Sequence, residues 1–105
     1  MEIEIRELDK PQLINFNSFG EREIGFISVV QNSDKLPFVI QRVYWTYLTP
    51  ADVTRGHHAH KELKQLIFAV SGNLKIELEN VKGEKEMFEL NSPNIGLYVP
   101  KLFWR

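Results

Sequence analysis

"LKIELENVKGEKEMFEL", residues 74–90, decides the fold class. Its first six residues alternate Leu74, Ile76 and Leu78 with Lys75, Glu77 and Glu79. A period of two sends successive side chains to opposite faces of a strand, half buried and half solvated. Val81, Lys82 and Gly83 interrupt the pattern, and residues 86–90 resume a β-prone run. The segment reads as a β-hairpin.

The same signals recur on both sides of it. Runs rich in Val, Ile, Phe, Tyr and Trp occupy residues 25–30, 38–48, 63–71 and 96–99. Asn32-Ser33-Asp34, Thr49-Pro50, Ser71-Gly72-Asn73 and Asn91-Ser92-Pro93 punctuate them, as turn residues do between strands. No stretch keeps a helical period with caps, and residues 8–19 are the one window where a turn of helix is expected. Many short strands separated by turns predict an all-β sandwich or barrel.

At 105 residues the chain is expected to form a single domain over residues 1–105. Hydrophobic residues at 43% against charged residues at 26% give a globular rather than a disordered balance. The net charge of -1 supplies no global field toward nucleic acid or anionic lipid, so neither is an expected partner. Cysteine is absent, which removes disulfides, thiolate nucleophiles and cysteine-type zinc sites together. The charged start, MEIEIRELDK, has no apolar core of a secretory signal, and apolar runs such as residues 66–70 are too short to span a bilayer. A soluble, cytoplasmic protein is expected.

All three histidines fall within "RGHHAHK", residues 55–61. On a strand His58 and His60 share one face and His57 takes the other. A solvated strand end is the bland account of such a cluster. Against it, Arg55-Gly56 precedes the pair and the apolar run at 66–70 follows, which sets the histidines at the entrance to a core. The spacing His58-Ala59-His60, four residues, Gln65, six residues, Gly72 resembles the first motif of the cupin superfamily. There a glutamate ligand stands at the position of Gln65, and an amide is a much poorer metal ligand. The histidine of the second cupin motif, five residues after a proline, corresponds to Arg105 after Pro100, and arginine cannot bind a cation. The expectation is a cupin fold with no metal and no other cofactor.

Three stretches narrow the resemblance: "LPFVIQRVYWTY" (36–47), "RGHHAHKELKQ" (55–65) and "SPNIGLYVPKLFWR" (92–105). In this order they resemble the WxcM-like sugar 3,4-ketoisomerases, over about residues 24–105. The resemblance implies a cupin-type jelly roll (double-stranded β-helix). It implies a homodimer and a metal-independent enzyme acting on dTDP-4-keto-6-deoxyglucose, in deoxy-amino-sugar biosynthesis for surface polysaccharide. It assigns His58 and His60 as catalytic and Arg42, Tyr44 and Arg55 as site-lining residues. Lys64 stands where relatives commonly carry Glu, and His57 fills a variable slot. Relatives continue past the position of Arg105, so the jelly roll is expected to be incomplete at its C-terminal side.

Moving a ketone from C4 to C3 requires loss of the C3 proton, an enediol, and reprotonation at C4. The neighbouring ketone acidifies that proton, so a base titrating near neutrality suffices, and histidine is such a base. His58 or His60 is the expected base, with the other serving the oxygen proton. Tyr44 is a candidate donor to the enolate oxygen, although a packed aromatic is the ordinary account of a tyrosine in an apolar run. Arg42 and Gln65 are candidate donors to the enediolate. Arg42, Arg55, Lys61 and Arg105 are candidate cations for the diphosphate, guanidinium pairing well with phosphate oxygens. Tyr98 and Trp104 are candidates to stack on thymine, and equally core aromatics. A non-catalytic nucleotide-sugar-binding or assembly module and a metal-free nucleotide-sugar epimerase remain as alternatives.

Overall fold

The computed structural model describes residues 9–33, 36–56 and 63–105. Seven strands follow in order: β1 (Gln12–Asn15), β2 (Phe19–Glu21), β3 (Gly25–Ile27), β4 (Gln65–Phe68), β5 (Leu74–Glu79), β6 (Lys85–Leu90) and β7 (Ile95–Val99). There is no helix among the described residues, and hence none long and apolar enough to cross a membrane. All pairings are antiparallel: a central β1-β7-β4 sheet and the hairpins β2-β3 and β5-β6.

The sequence of β7, IGLYV, has no charged residue, and the strand is buried on both faces. On one face Leu97 and Val99 lie beside Ile67 and Gln65, their register partners on β4. Leu97 and Val99 pack with Ala69, Leu78 and Leu90 into the main core, with Ile67, Ile76, Phe88 and Phe103 around it. Gly96 and Tyr98 alternate to the opposite face. A Cβ on Gly96 would sit 2.7 Å from Cζ of Phe68, so the glycine is what leaves room for that ring. Phe68 in turn meets Phe16 at 5.4 Å between centroids.

The β5-β6 hairpin forms as its alternation requires, with Leu74 opposite Leu90 and Ile76 opposite Phe88. Asn80 builds its turn: the backbone carbonyl accepts from Gly83 N at 3.0 Å, and Oδ1 accepts from the backbone nitrogens of Lys82 and Glu84, both at 2.9 Å. Gly83 adopts φ +82, the left-handed conformation that glycine takes without strain.

Past β7 the chain turns at the fully buried Pro100 and at Leu102, whose φ is +70. Trp104 then pairs with Glu79 at the end of β5 through two backbone hydrogen bonds of 2.9 and 2.7 Å. That short bridge fixes where Arg105 falls.

Two expectations need correction. Residues 12–15 within the 8–19 window form strand β1, not a helical turn. Register pairing of Gln12 to Asn15 with Tyr98 to Ile95 supplies hydrogen bonds that local pattern does not reveal. Conversely, residues 38–48 form no strand. Their β propensity is high, but none of the seven described strands pairs with them, and propensity without a partner makes no ladder. Val39, Val43, Trp45, Tyr47 and Leu48 are correspondingly exposed.

Candidate active site

The site is assembled from three distant stretches. Gln65 opens β4 on the same face as Ile67 and Val99, at the mouth of the main core. Arg105 reaches it from the Trp104 bridge, and its Nε donates to Gln65 Oε1 at 2.6 Å. The other end of the amide, Nε2, donates to the Tyr44 hydroxyl at 2.9 Å. The Arg42 guanidinium carbon lies 5.1 Å from the centroid of the Tyr44 ring, a cation over an aromatic face.

Arg105 is part-buried, and its Nη1 donates to the Phe103 carbonyl at 2.6 Å. Its Nη2 is buried, with no hydrogen-bond partner among the described residues. Burial pushes the guanidinium below its ordinary pKa, and the neighbouring Tyr44 offsets part of that. Arginine nevertheless stays charged. An unpaired buried donor on a cation is costly, on the order of 1–3 kcal/mol or more, and it marks a place where an anionic or carbonyl oxygen would be stabilised.

Gly56 lies close against Arg105. It has φ +106, and a Cβ there would lie 2.6 Å from the carbonyl oxygen of Arg105. Glycine alone permits both that conformation and that approach. The stretch carrying the histidines therefore has one flank, Gly56, against the Arg105 backbone and the other, Gln65, bonded to the Arg105 side chain. His58, His60 and Lys61 themselves lie outside the described residues.

Of the residues expected at the site, Arg42, Tyr44, Gln65 and Arg105 are thus brought together. Arg55 is exposed, one residue before Gly56. Tyr98 is not with them: it alternates to the opposite face of the sheet from Gln65, is fully buried, and stacks on Phe38 at 6.2 Å between centroids. In this conformation it has no exposed ring face for a base. Burial first, and Asp9 second, raise its phenol above the ordinary value. The folded state then holds this proton to higher pH than the unfolded chain does. The stability it contributes is complete below about pH 10 and falls as pH rises further. Thermal melts of the protein and of Tyr98→Phe should converge in slope below that pH, with the steeper alkaline loss confined to the parent.

The Phe103 carbonyl and Gly56 were not legible as site residues. The signal that existed lay in Gln65 and Arg105, the two positions at which the motif's expected metal ligands are missing. They are partners, 2.6 Å apart, so a guanidinium stands beside the amide where the superfamily motif would pair two ligands.

The family model described as FdtA (WxcM-like, C-terminal) matches residues 9–105. The chain belongs to this family. It is 32% identical over 93 residues to the TDP-4-oxo-6-deoxy-alpha-D-glucose-3,4-oxoisomerase of Aneurinibacillus thermoaerophilus, covering 89% of this chain and 66% of that protein. It spans, then, just under two thirds of that relative. Among solved structures it is similar to the 3,4-ketoisomerase QdtA of Thermoanaerobacterium thermosaccharolyticum in complex with TDP. That match has a TM-score of 0.84 and 36% identity, over 90% of this chain and 68% of QdtA. A mutant of QdtA in complex with TDP-4-keto-6-deoxyglucose matches with a TM-score of 0.83 and 35% identity, over 90% and 67%. A 3,4-ketoisomerase from Helicobacter canadensis gives 0.82 and 37%, over 90% and 70%. The antiparallel all-β architecture of this FdtA-family chain is accordingly the cupin type that its motifs imply.

Proposed function

We propose that this FdtA-family chain is a dTDP-4-keto-6-deoxyglucose 3,4-ketoisomerase that moves protons between C3 and C4 through an enediol. The observation that carries the reading is the Arg105–Gln65–Tyr44 hydrogen-bonded chain, with Gly56 close against the Arg105 backbone. Relatives named for 3,4-isomerisation, and solved relatives holding TDP or the TDP-keto sugar, support the substrate class.

In this reading one of His58 and His60 removes the C3 proton and returns a proton to C4, and the other serves the oxygens. The negative charge that develops on the ketone oxygen meets preorganised donors: the Tyr44 hydroxyl, the second Nε2 proton of Gln65, and Arg105 Nη2. Such donors act most strongly where water is excluded. Arg42, Arg55 and Lys61 attract the diphosphate. No metal enters the scheme, because the amide oxygen at the expected carboxylate position accepts from a guanidinium, and that cation disfavours a second one beside it. The same reading takes the protein as a cytoplasmic homodimer. The large apolar side chains exposed on β2, on β3 and over residues 39–53 support association between copies.

Incubation with dTDP-4-keto-6-deoxyglucose, followed by proton NMR, should yield the 3-keto isomer. Proton exchange at C5 in its place would mark an epimerase. Retained dTDP binding with no turnover would mark a binding module.

A further inference from the structure

We propose that Gln65 is a positioning residue that fixes Tyr44 as a hydrogen-bond donor toward the ligand. The inference rests on the ketoisomerase reading for its consequence, but its geometry is independent of it. A guanidinium has donors only. Because Arg105 Nε lies 2.6 Å from one end of the Gln65 amide, that end must be the oxygen; the flipped amide would set two donors against each other. The NH2 end therefore faces Tyr44 at 2.9 Å. An amide nitrogen cannot accept, so the Tyr44 oxygen accepts from it.

A phenol has a single proton. With its oxygen accepting from Gln65, that proton must point elsewhere. Tyr44 is 60% exposed, so its hydroxyl is open to a bound molecule. The order of polarity runs one way, from the Arg105 cation through the amide to the phenol, and it ends in an outward O–H. Such a donor suits an acceptor oxygen that gains charge, as the ketone of an α-hydroxyketone does on becoming an enediolate. A carboxylate at position 65 would accept from both neighbours, draw the Tyr44 proton inward, and remove the donor. The amide at this position is thus a functional requirement of the site as well as the loss of a metal ligand.

The test is Gln65→Glu in the full chain, with tyrosine carrying 13C at Cζ so that Tyr44 is titrated by NMR. The Tyr44 resonance should titrate about one pH unit or more higher than in the parent, since an accepting carboxylate holds the phenol proton. Turnover of dTDP-4-keto-6-deoxyglucose should fall about 10²-fold in kcat, the scale of one lost acid–base contact, with KM within about twofold. In a Tyr44→Phe background Gln65→Glu should cost little further, because coupled residues are non-additive. An unchanged Tyr44 titration, or additive losses, would overturn the proposal. Should Gln65→Glu not fold, the parent decides: one Gln65 Nε2 proton should be shifted downfield and lose that shift in Tyr44→Phe, and no change there overturns the proposal. A parent chain with no turnover at all removes the ketoisomerase reading, while the titration still decides the direction of the hydrogen bonds.

Discussion

His58→Ala and His60→Ala should each lower turnover by about 10²–10⁴-fold, the span of a lost general acid–base group, with dTDP affinity nearly intact. The chemistry needs a base that is free near neutral pH and a conjugate acid that can return the proton. Histidine meets both needs without a large perturbation. The nucleotide is expected to be held by other groups, the arginines and Lys61, so binding and turnover should separate. Single-turnover measurements beside dTDP titrations would show the split. Full activity in both variants would remove the histidines from proton transfer. A loss of affinity equal to the loss of rate would make them binding residues.

Leu97→Ala should destabilise the fold by about 3–5 kcal/mol, the range for a large aliphatic side chain removed from a close-packed core. Leu97 has no exposed surface, belongs to the main core cluster, and sits opposite Leu13 on one neighbouring strand and Ile67 on the other. A domain of this size has roughly 5–15 kcal/mol in total, so the denaturant midpoint should fall by a large fraction. Val81→Ala, on a side chain 78% exposed, should change stability by less than about 0.5 kcal/mol. Equal effects at the two positions would contradict the central place of β7.

How much of this was legible in the sequence differs from element to element. The β5-β6 hairpin was fully legible, because the alternation at 74–79 and the Gly83 turn are local signals that the pairing reinforces. Strand β7 was legible from its unbroken apolar run. Strand β1 was not, because QLIN carries no period of its own and is made a strand by β7. Residues 38–48 show the opposite failure: the intrinsic preference is strong and no described strand answers it.

At the site, residue types were legible and partnerships were not. Tyr44, Gln65 and Arg105 stood out singly, yet they are 21 and 40 residues apart in their bonded pairs, and nothing in local pattern joins them. Arg105 arrives only because Trp104 pairs with Glu79. Tyr98 stood out as an aromatic, but its place on the face of β7 opposite Gln65 is a matter of register, which inverts with a slip of one residue.

The central claim, that protons move between C3 and C4 of a keto sugar without a redox step, is tested most directly in deuterated water. Incubation of the chain with dTDP-4-keto-6-deoxyglucose in that solvent should give the 3-keto isomer with deuterium at C4. No 3-keto product at all, or deuterium entering at C5 with the ketone still at C4, would contradict it.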